Sequence, residues 1–293
     1  MASINILGVT HNYHLTPPVS PSSTPVLVFV HGWLLSRQYW QPLIDILAKD
    51  YQCLSYDLRG FGASYLNSLT AANVTETKNY TLAAYARDLQ SLLEQLEIKQ
   101  AWLIGHSLGG SVALWGANLY PQLVKGVICL NSGGGIYIKE EFERFRRVGQ
   151  ELVKRRPAWL CHLPLIDYIF ARAMVARPLC KHWGRMRVQD FVRADELAAL
   201  GALLESTTEQ EVHLLPQLVS QLEQPVYFIA GSDDKVMEPK YVRHLASFHR
   251  LFKHQGENVI EISNCGHLSM LEQTEKVADA ISSILQKHQN SQI

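Results

Sequence analysis

The sequence predicts an α/β protein with a mostly parallel central sheet and helices on both faces. One observation is the continuous apolar run Val26–Val30, which is typical of a parallel strand that is covered on both sides. Another is the segment 101–116, in which an apolar run, a glycine-rich turn and helical spacing follow one another. The third is the alternation of strand-like and helix-like segments along the chain, which favours a parallel sheet.

The first part of the chain contains the elements that lead to the glycine-rich turn. Alternating apolar residues over 1–16 predict one or two strands. In chain order there follow a strand at 26–30, a short helix at 39–47, a strand at 53–56, a polar excursion at 66–79 and a helix at 85–96.

In the second part of the chain, strands and helices alternate again, with one long interruption. Strands are predicted at 101–104, 127–130, 226–230 and 259–262, and a last helix carries the apolar residues of 277–285. Residues 136–221 interrupt the alternation between two sheet strands. We therefore predict a helical lid, 136–221, inserted after the sixth strand of a core made of 1–135 and 222–293.

The glycine-rich turn carries the clearest chemical signal. Ser107 lies between Gly105 and Gly109, and a serine at the apex of a sharp strand-to-helix turn is lifted clear of its neighbours. The helix N-terminus beneath it offers free N–H groups and a partial positive charge to an oxyanion. Gly110 would let the helix approach the sheet closely. The alternative is a glycine-rich connection in which the serine only caps the helix.

The composition is that of an ordinary globular protein. The 293 residues are 47% hydrophobic and 18% charged, and the formal net charge is zero, so nothing suggests a nucleic-acid partner. Five cysteines without clustered spacing argue against a disulfide framework and against a zinc site. Neither a secretory signal nor an apolar run of about 18 residues is visible, so we expect a cytoplasmic protein.

Five motifs in order resemble those of a known superfamily. They are HGW at 31–33, DLRGFGAS at 57–64, GHSLGG at 105–110, GSDD at 231–234 and CGH at 265–267. Together they resemble the α/β-hydrolase superfamily, in its lidded, esterase- or lipase-like branch with a serine nucleophile. The resemblance covers roughly residues 26–286 and implies the fold predicted above.

The resemblance implies a Ser-His-Asp triad. Ser107 would be the nucleophile, His267 the base and Asp234 the orienting acid, in the chain order that this fold requires. The acid stands three residues after Gly231 in the family. Many relatives have proline four residues after the acid, whereas here Glu238 precedes Pro239, so Asp233 stays open as an alternative acid.

The resemblance also implies an oxyanion hole built from backbone N–H groups. Leu108 would supply one group, and Trp33, with Leu34 next, would supply the other. No metal and no organic cofactor is implied. Structural roles are implied for two histidines and for a loop-bracing motif: His31, His106, Asp57, Arg59 and Ser64.

The predicted lid is basic. From 139 to 193 the sequence has 13 Lys and Arg against 6 Asp and Glu, a net charge of +7, while the whole chain sums to zero. One interpretation is an ordinary amphipathic lid with a solvated basic face. The other is a lid that meets an anionic membrane surface or an amphiphilic substrate, which would make the protein peripherally membrane-associated.

Two classes of function stay open. The first is a serine hydrolase that cleaves a carboxylic ester, with a hydrophobic small molecule such as a lipid, long-chain or isoprenoid ester as its substrate. Thioesterase, lactonase, C–C hydrolase and acyltransferase activities use the same triad and are not separated from it by sequence. The second class is a non-catalytic binding module with the same fold. The oligomeric state is not readable from the sequence.

Overall fold

The computed structural model describes residues 2–19, 24–66, 79–134 and 139–289. Within these residues the strands form one nine-stranded sheet. The strands are β1 (Ala2–Ile6), β2 (Val9–Leu15), β3 (Val26–Val30), β4 (Cys53–Tyr56), β5 (Tyr65–Leu66), β6 (Ala101–His106), β7 (Val124–Leu130), β8 (Val226–Gly231) and β9 (Val259–Ile262).

The sheet is mostly parallel, as the sequence predicts. Its order is β1-β2-β4-β3-β6-β7-β8-β9, with β5 paired to β2. The six strands from β4 to β9 in this order are parallel to one another, whereas β1, β2 and β5 pair in antiparallel fashion. Because the carboxyl ends of the parallel strands share one edge, the loops after β3, β6, β8 and β9 come together there.

Helices cover both faces of the sheet. Their bounds are α1 (Gln41–Leu47), α2 (Leu82–Gln95), α3 (Leu108–Leu119), α4 (Lys139–Lys154), α5 (Ile166–Arg172), α6 (Lys181–Arg193), α7 (Glu196–Ser206), α8 (Glu209–Gln221), α9 (Pro239–Ala246), α10 (Lys253–Gly256), α11 (Ser269–Glu272) and α12 (Thr274–Gln289). Short 3₁₀ helices lie at Arg37–Trp40, Ala158–His162 and Arg250–Phe252. Within the described ranges, no helix is long and apolar enough to cross a bilayer.

Strand β3 shows how the sheet divides the core. Leu27 and Phe29 pack in one cluster with residues of α1 and α12, and Val28 and Val30 pack in another with residues of α2 and α3. All four side chains are fully buried. Burial of each such side chain stabilises the fold by about 1.5–3 kcal/mol, so β3 ties both layers to the sheet.

Helices α4 to α8 form a helical insertion between β7 and β8. The predicted position after the sixth strand is wrong by one strand, because β5 precedes the insertion. This strand has two residues and pairs only Val9 with Leu66 and Thr10 with Tyr65, so it has no periodicity to detect. Of the predicted lid, residues 136–138 lie outside the described residues, as do 67–78 of the predicted excursion. The division into core and lid stays a prediction.

The predicted helix at 39–47 is two elements. A 3₁₀ turn runs through Trp40, and α1 then begins at Gln41 with Pro42 in its first turn. Proline is tolerated there because the first N–H groups of a helix have no partner inside it.

Candidate active site

The turn between β6 and α3 holds Ser107 in a strained conformation. Its backbone has φ 52° and ψ −119°, which costs a non-glycine residue about 1–3 kcal/mol. A Cβ on Gly105 would lie 2.2 Å from the Gly109 carbonyl oxygen, and one on Gly109 would lie 2.1 Å from the Val30 carbonyl oxygen. Both glycines are therefore required by close packing. The Ser107 side chain makes no cap hydrogen bond to α3, so it does not serve as a helix cap.

His267 and Asp234 form a buried pair beside this turn. The His267 Nδ1 donates to Asp234 Oδ2 at 2.8 Å, and the two residues are only 3% and 2% exposed. Because Nδ1 carries the proton in this bond, the lone pair of a neutral imidazole lies on Nε2. His267 can therefore accept a proton at that atom.

The loop after β8 holds Asp234 as a carboxylate. Its Oδ1 accepts the N–H groups of Val236 at 2.8 Å and Met237 at 2.9 Å, and its Oδ2 also accepts from Asn131 Nδ2 at 2.8 Å. Burial alone would raise the pKa of Asp234. The His267 ring and these hydrogen bonds outweigh burial, so the pKa lies below its ordinary value.

Asp233 points elsewhere. It is exposed, and its Oδ2 accepts from the Ser232 hydroxyl at 2.8 Å. Glu238 is at the N-cap position of α9 but makes no side-chain cap hydrogen bond, and Pro239 is the first residue of that helix. The extra residue before the proline therefore lies after Asp234 in the loop. The structure thus brings Asp234 to His267 and leaves Asp233 at the surface.

His106 joins the Ser107 turn to the histidine loop. Its Nε2 donates to the His267 carbonyl oxygen at 2.7 Å, and the two ring centroids are 4.8 Å apart. Burial, helped by the nearby His267, lowers the pKa of His106 to about 3. The His106 ring is therefore neutral and positions its neighbours without exchanging protons near neutral pH.

The loop after β3 is held by His31. Its Nε2 accepts the Leu58 N–H at 2.9 Å and its Nδ1 donates to the Gly32 carbonyl at 2.8 Å, and burial lowers its pKa. Within the described part of the chain, the backbone N–H groups of Trp33 and Leu108 have no hydrogen-bond partner. Backbone N–H groups without a partner are what the predicted oxyanion hole requires. The Trp33 ring donates from Nε1 to the carbonyl of Ala199 in α7, at 2.9 Å.

The predicted loop-bracing residues Asp57, Arg59 and Ser64 hold neighbouring segments together. Asp57 accepts the backbone N–H groups of Arg37 at 2.7 Å and Ala63 at 3.0 Å, and the Ser64 hydroxyl donates to the Asp57 carbonyl at 2.9 Å. Arg59 forms a buried ion pair with Asp88 of α2, at 2.7 Å. The loop after β4 is thus tied to the loop after β3 and to α2.

Two residues near the predicted triad are absent from the sequence prediction. Asn131 donates both to Asp234 and to the Gly266 carbonyl, the latter at 3.0 Å. Glu272 accepts the N–H groups of Gly266 at 2.9 Å and Leu268 at 3.1 Å on either side of His267. It also accepts the N–H groups of two residues of the helical insertion, Ala176 at 2.7 Å and Arg177 at 3.1 Å. The only local signal is a glutamate in the helix that follows His267, and it does not identify partners nearly a hundred positions away.

A separate cavity lies away from the triad. It has a volume of about 420 Å³ and is lined by Arg37, Gln38, Gln41, Pro42, Asp45, His182, Trp183 and Met186. None of these residues belongs to the predicted triad. Among the described residues no group of three or more His, Cys, Asp or Glu side chains could hold a metal ion.

Comparison with known proteins identifies the family of the chain. The model of a family described as the alpha/beta hydrolase family matches residues 27–280. The uncharacterized hydrolase YugF of Bacillus subtilis is 24% identical over 269 residues, which cover 88% of this chain and 89% of YugF.

Solved structures show the same fold. A thermophilic esterase from Thermogutta terrifontis superposes with a TM-score of 0.74 at 22% identity, covering 98% of this chain and 99% of that chain. The enol-lactonase from Burkholderia xenovorans LB400 superposes with a TM-score of 0.73 at 19% identity, covering 97% and 100% of the two chains. The chain is therefore a hydrolase that belongs to the α/β-hydrolase family.

Proposed function

We propose that the protein is a serine hydrolase that cleaves a carboxylic ester through Ser107, His267 and Asp234. The observation that carries this proposal is the buried 2.8 Å bond from His267 Nδ1 to Asp234, formed beside the strained Ser107 turn. It leaves His267 Nε2 with the lone pair that a serine hydroxyl needs as its base. A carboxylate partner also stabilises the imidazolium that forms when His267 takes the proton.

In the proposed acylation, Ser107 Oγ attacks the acyl carbon while His267 Nε2 takes the hydroxyl proton. The electron pair of the carbonyl moves onto its oxygen, which would be bound by the N–H groups of Leu108 and Trp33. Each such donor contributes on the order of 3 kcal/mol to the barrier reduction. The bond to the alcohol oxygen then breaks, and the imidazolium gives its proton to the departing alkoxide.

Deacylation reverses these roles. Water gives a proton to His267 and attacks the acyl-enzyme, and the Ser107 oxygen leaves and regains a proton from the imidazolium. The net reaction consumes one water and releases an acid and an alcohol. No step needs a metal ion or an organic cofactor.

We further propose that the substrate is hydrophobic and that helices α4 to α8 serve as its lid. Trp33, Leu34 and Leu108 place apolar side chains next to the proposed oxyanion hole, and Trp33 is tied to α7. The turn between α5 and α6 packs on the histidine loop, where the His267 N–H donates to the Met174 carbonyl at 2.9 Å. Apolar surroundings of this kind favour an apolar acyl or alcohol group.

The test is hydrolysis of p-nitrophenyl esters with acyl chains of rising length, together with a thioester and a lactone. We expect carboxylic esters to be the best substrates, with longer chains preferred, and Ser107→Ala to abolish turnover while keeping its cooperative thermal transition. Substantial activity in well-folded Ser107→Ala would overturn the nucleophile assignment. A higher kcat/KM for the thioester or the lactone would move the substrate class to that bond.

A further inference from the structure

Exposed apolar side chains are concentrated in one part of the helical insertion. Of the 12 large apolar residues that are exposed in the described chain, eight lie between 148 and 174. Five of them, which we call the outer apolar patch, are Trp159 (60% exposed), Leu163 (41%), Leu165 (69%), Tyr168 (45%) and Ile169 (61%). Large exposed apolar side chains that are concentrated in one segment indicate an interaction surface.

The patch faces outward because the opposite side of α5 is already packed. Helix α6 presents Gly184 to α5, where a Cβ would lie 1.8 Å from the Asp167 carbonyl oxygen. From the same helix, Arg187 donates to the carbonyl groups of Phe170 and Ala173. Leu165, which precedes α5, and Tyr168 and Ile169 within α5 are 69%, 45% and 61% exposed. The segment is thus fixed to the protein by its polar and small residues, while these apolar side chains stay exposed.

The residues around the patch are mainly basic. Between 148 and 181 there are six Lys and Arg and two acidic residues, Glu151 and Asp167, and each of the acidic residues is paired with an arginine. Exposed cations near the patch are Arg155, Arg172, Arg177 and Lys181. Lys181 lies 5.6 Å from the centre of the Tyr168 ring, at the edge of the patch. The charge of the rim is therefore complementary to an anionic surface.

The side-chain types are those that enter a lipid headgroup region. Tryptophan and tyrosine favour the boundary between acyl chains and water because each has an apolar ring and a polar atom. Leucine and isoleucine supply the apolar area, and a basic rim adds attraction to anionic lipids.

We propose that the outer apolar patch docks on the surface of an anionic lipid bilayer. The same segment leads directly to the proposed active site, because Met174 follows α5 and its carbonyl oxygen accepts the His267 N–H at 2.9 Å. Docking would hold this side of the molecule against the membrane. The proposal goes beyond the ester hydrolysis proposed above and does not depend on it, since it concerns binding only.

The experiment is flotation of the full chain with vesicles of phosphatidylcholine alone or mixed with phosphatidylglycerol. We expect binding to the mixed vesicles and at least about tenfold weaker binding to neutral ones, since each basic residue near the surface adds attraction. Raising salt from about 0.15 M to about 1 M shortens the screening length from about 8 Å to about 3 Å and should release the protein.

A triple variant tests the patch itself. Trp159→Ser, Leu165→Ser and Ile169→Ser together should weaken binding to mixed vesicles at least about tenfold, because they remove most of the apolar area that would enter the bilayer. The matched control is Leu197→Ser with Phe248→Ser, two residues that are 57% and 41% exposed outside the patch. We expect it to bind like the unchanged chain. Thermal unfolding and hydrolysis of a small soluble ester should be the same for all three proteins.

Three results would overturn the proposal. One is the absence of binding to mixed vesicles, and another is equal binding by the triple variant and the control. The third is self-association in light scattering, without vesicles, that the triple variant abolishes, since this would assign the patch to a second copy of the chain. Ser107→Ala should bind vesicles like the unchanged protein. Vesicle binding therefore tests the docking proposal, and ester hydrolysis tests the proposed function separately.

Discussion

Asp233 and Asp234 are adjacent aspartates with different surroundings. Asp234 is buried against His267 and accepts from Val236, Met237 and Asn131, whereas Asp233 is exposed and bonded to Ser232. Asp234→Asn should keep the fold and lower kcat by about 10⁴, because an amide cannot hold the histidine tautomer or stabilise the imidazolium. Asp233→Asn is the matched control and should lower kcat about tenfold or less. Steady-state kinetics on a soluble ester measure both.

The opposite order of kcat values would contradict this account. It would move the acid to Asp233 and leave the proposed roles of Ser107 and His267 unchanged. Circular dichroism and thermal unfolding of both variants separate loss of chemistry from loss of fold.

At the residue scale, the sequence predicts those site residues that lie in short motifs. Ser107, Asp234 and His267 each follow a strand and lie within three residues of a glycine, so local patterns and the shared edge of the sheet are enough to predict where they lie. Glu272 could not be predicted, because its role depends on backbone N–H groups of Ala176 and Arg177, which only the folded chain brings near.

At the element scale, Glu272 fastens the turn between α5 and α6 to the loop that carries His267. Glu272→Gln keeps one acceptor oxygen and loses the other, so it cannot hold all of these N–H groups. We expect His267 to shift, and kcat to fall about ten- to a hundredfold with KM changed by less than about threefold. The rate of inactivation by a fluorophosphonate should fall in parallel with kcat.

The control for this positioning role is Glu275→Gln, which changes an exposed glutamate three residues later. It should leave both rates unchanged. Wild-type kcat and inactivation rate in folded Glu272→Gln would show that the glutamate serves stability alone.

A second contact between elements predicts a pH effect on stability. Asp190 in α6 accepts from the Ser36 hydroxyl in the loop after β3, at 2.8 Å. Burial and the nearby Asp57 raise the pKa of Asp190, whereas the hydrogen bond from Ser36 lowers it. Burial has the largest effect, and the pKa is raised to about 6. An unfolded aspartate ionises near pH 3.9. Between these values the folded state binds more protons than the unfolded state, so the contribution of Asp190 to stability falls as the pH rises from about 4 to about 6.

Asp190→Asn should remove this pH dependence, because asparagine keeps an acceptor for Ser36 and does not ionise. The Tm of the unchanged protein relative to the variant should therefore decrease between about pH 4 and about pH 7, with each pKa unit corresponding to about 1.4 kcal/mol. Asp45→Asn, at an exposed site, should show no such trend. A Tm difference for Asp190→Asn that stays constant or increases over this range would contradict the raised pKa.

Among the elements, strands rich in apolar residues were predictable, whereas elements that depend on tertiary contacts were not. The strands Val26–Val30 and Cys53–Tyr56 agree in full with their predicted bounds. The two residues of β5 and the 3₁₀ turn Arg37–Trp40 depend on tertiary pairing and packing, which leave no period in the sequence.

At the scale of the whole molecule, the parallel sheet with helices on both faces followed from alternation alone. The arrangement of α4 to α8 did not, because five helices joined by short turns can pack in several ways. What fixes them are contacts between distant residues, such as Trp33 with Ala199 and Ser36 with Asp190. These contacts join the insertion to the loop after β3, so the insertion and the proposed oxyanion hole form one unit.

The central claim is that Ser107 is a nucleophile activated by His267, and its most direct test is covalent labelling with a fluorophosphonate. Intact mass and peptide mapping should show one adduct, on Ser107, in the unchanged protein. Ser107→Ala should show none, and His267→Ala should react far more slowly, because the hydroxyl then has no base to take its proton. A folded, unchanged protein in which Ser107 stays unlabelled would contradict the claim and favour a non-catalytic binding module with the same fold.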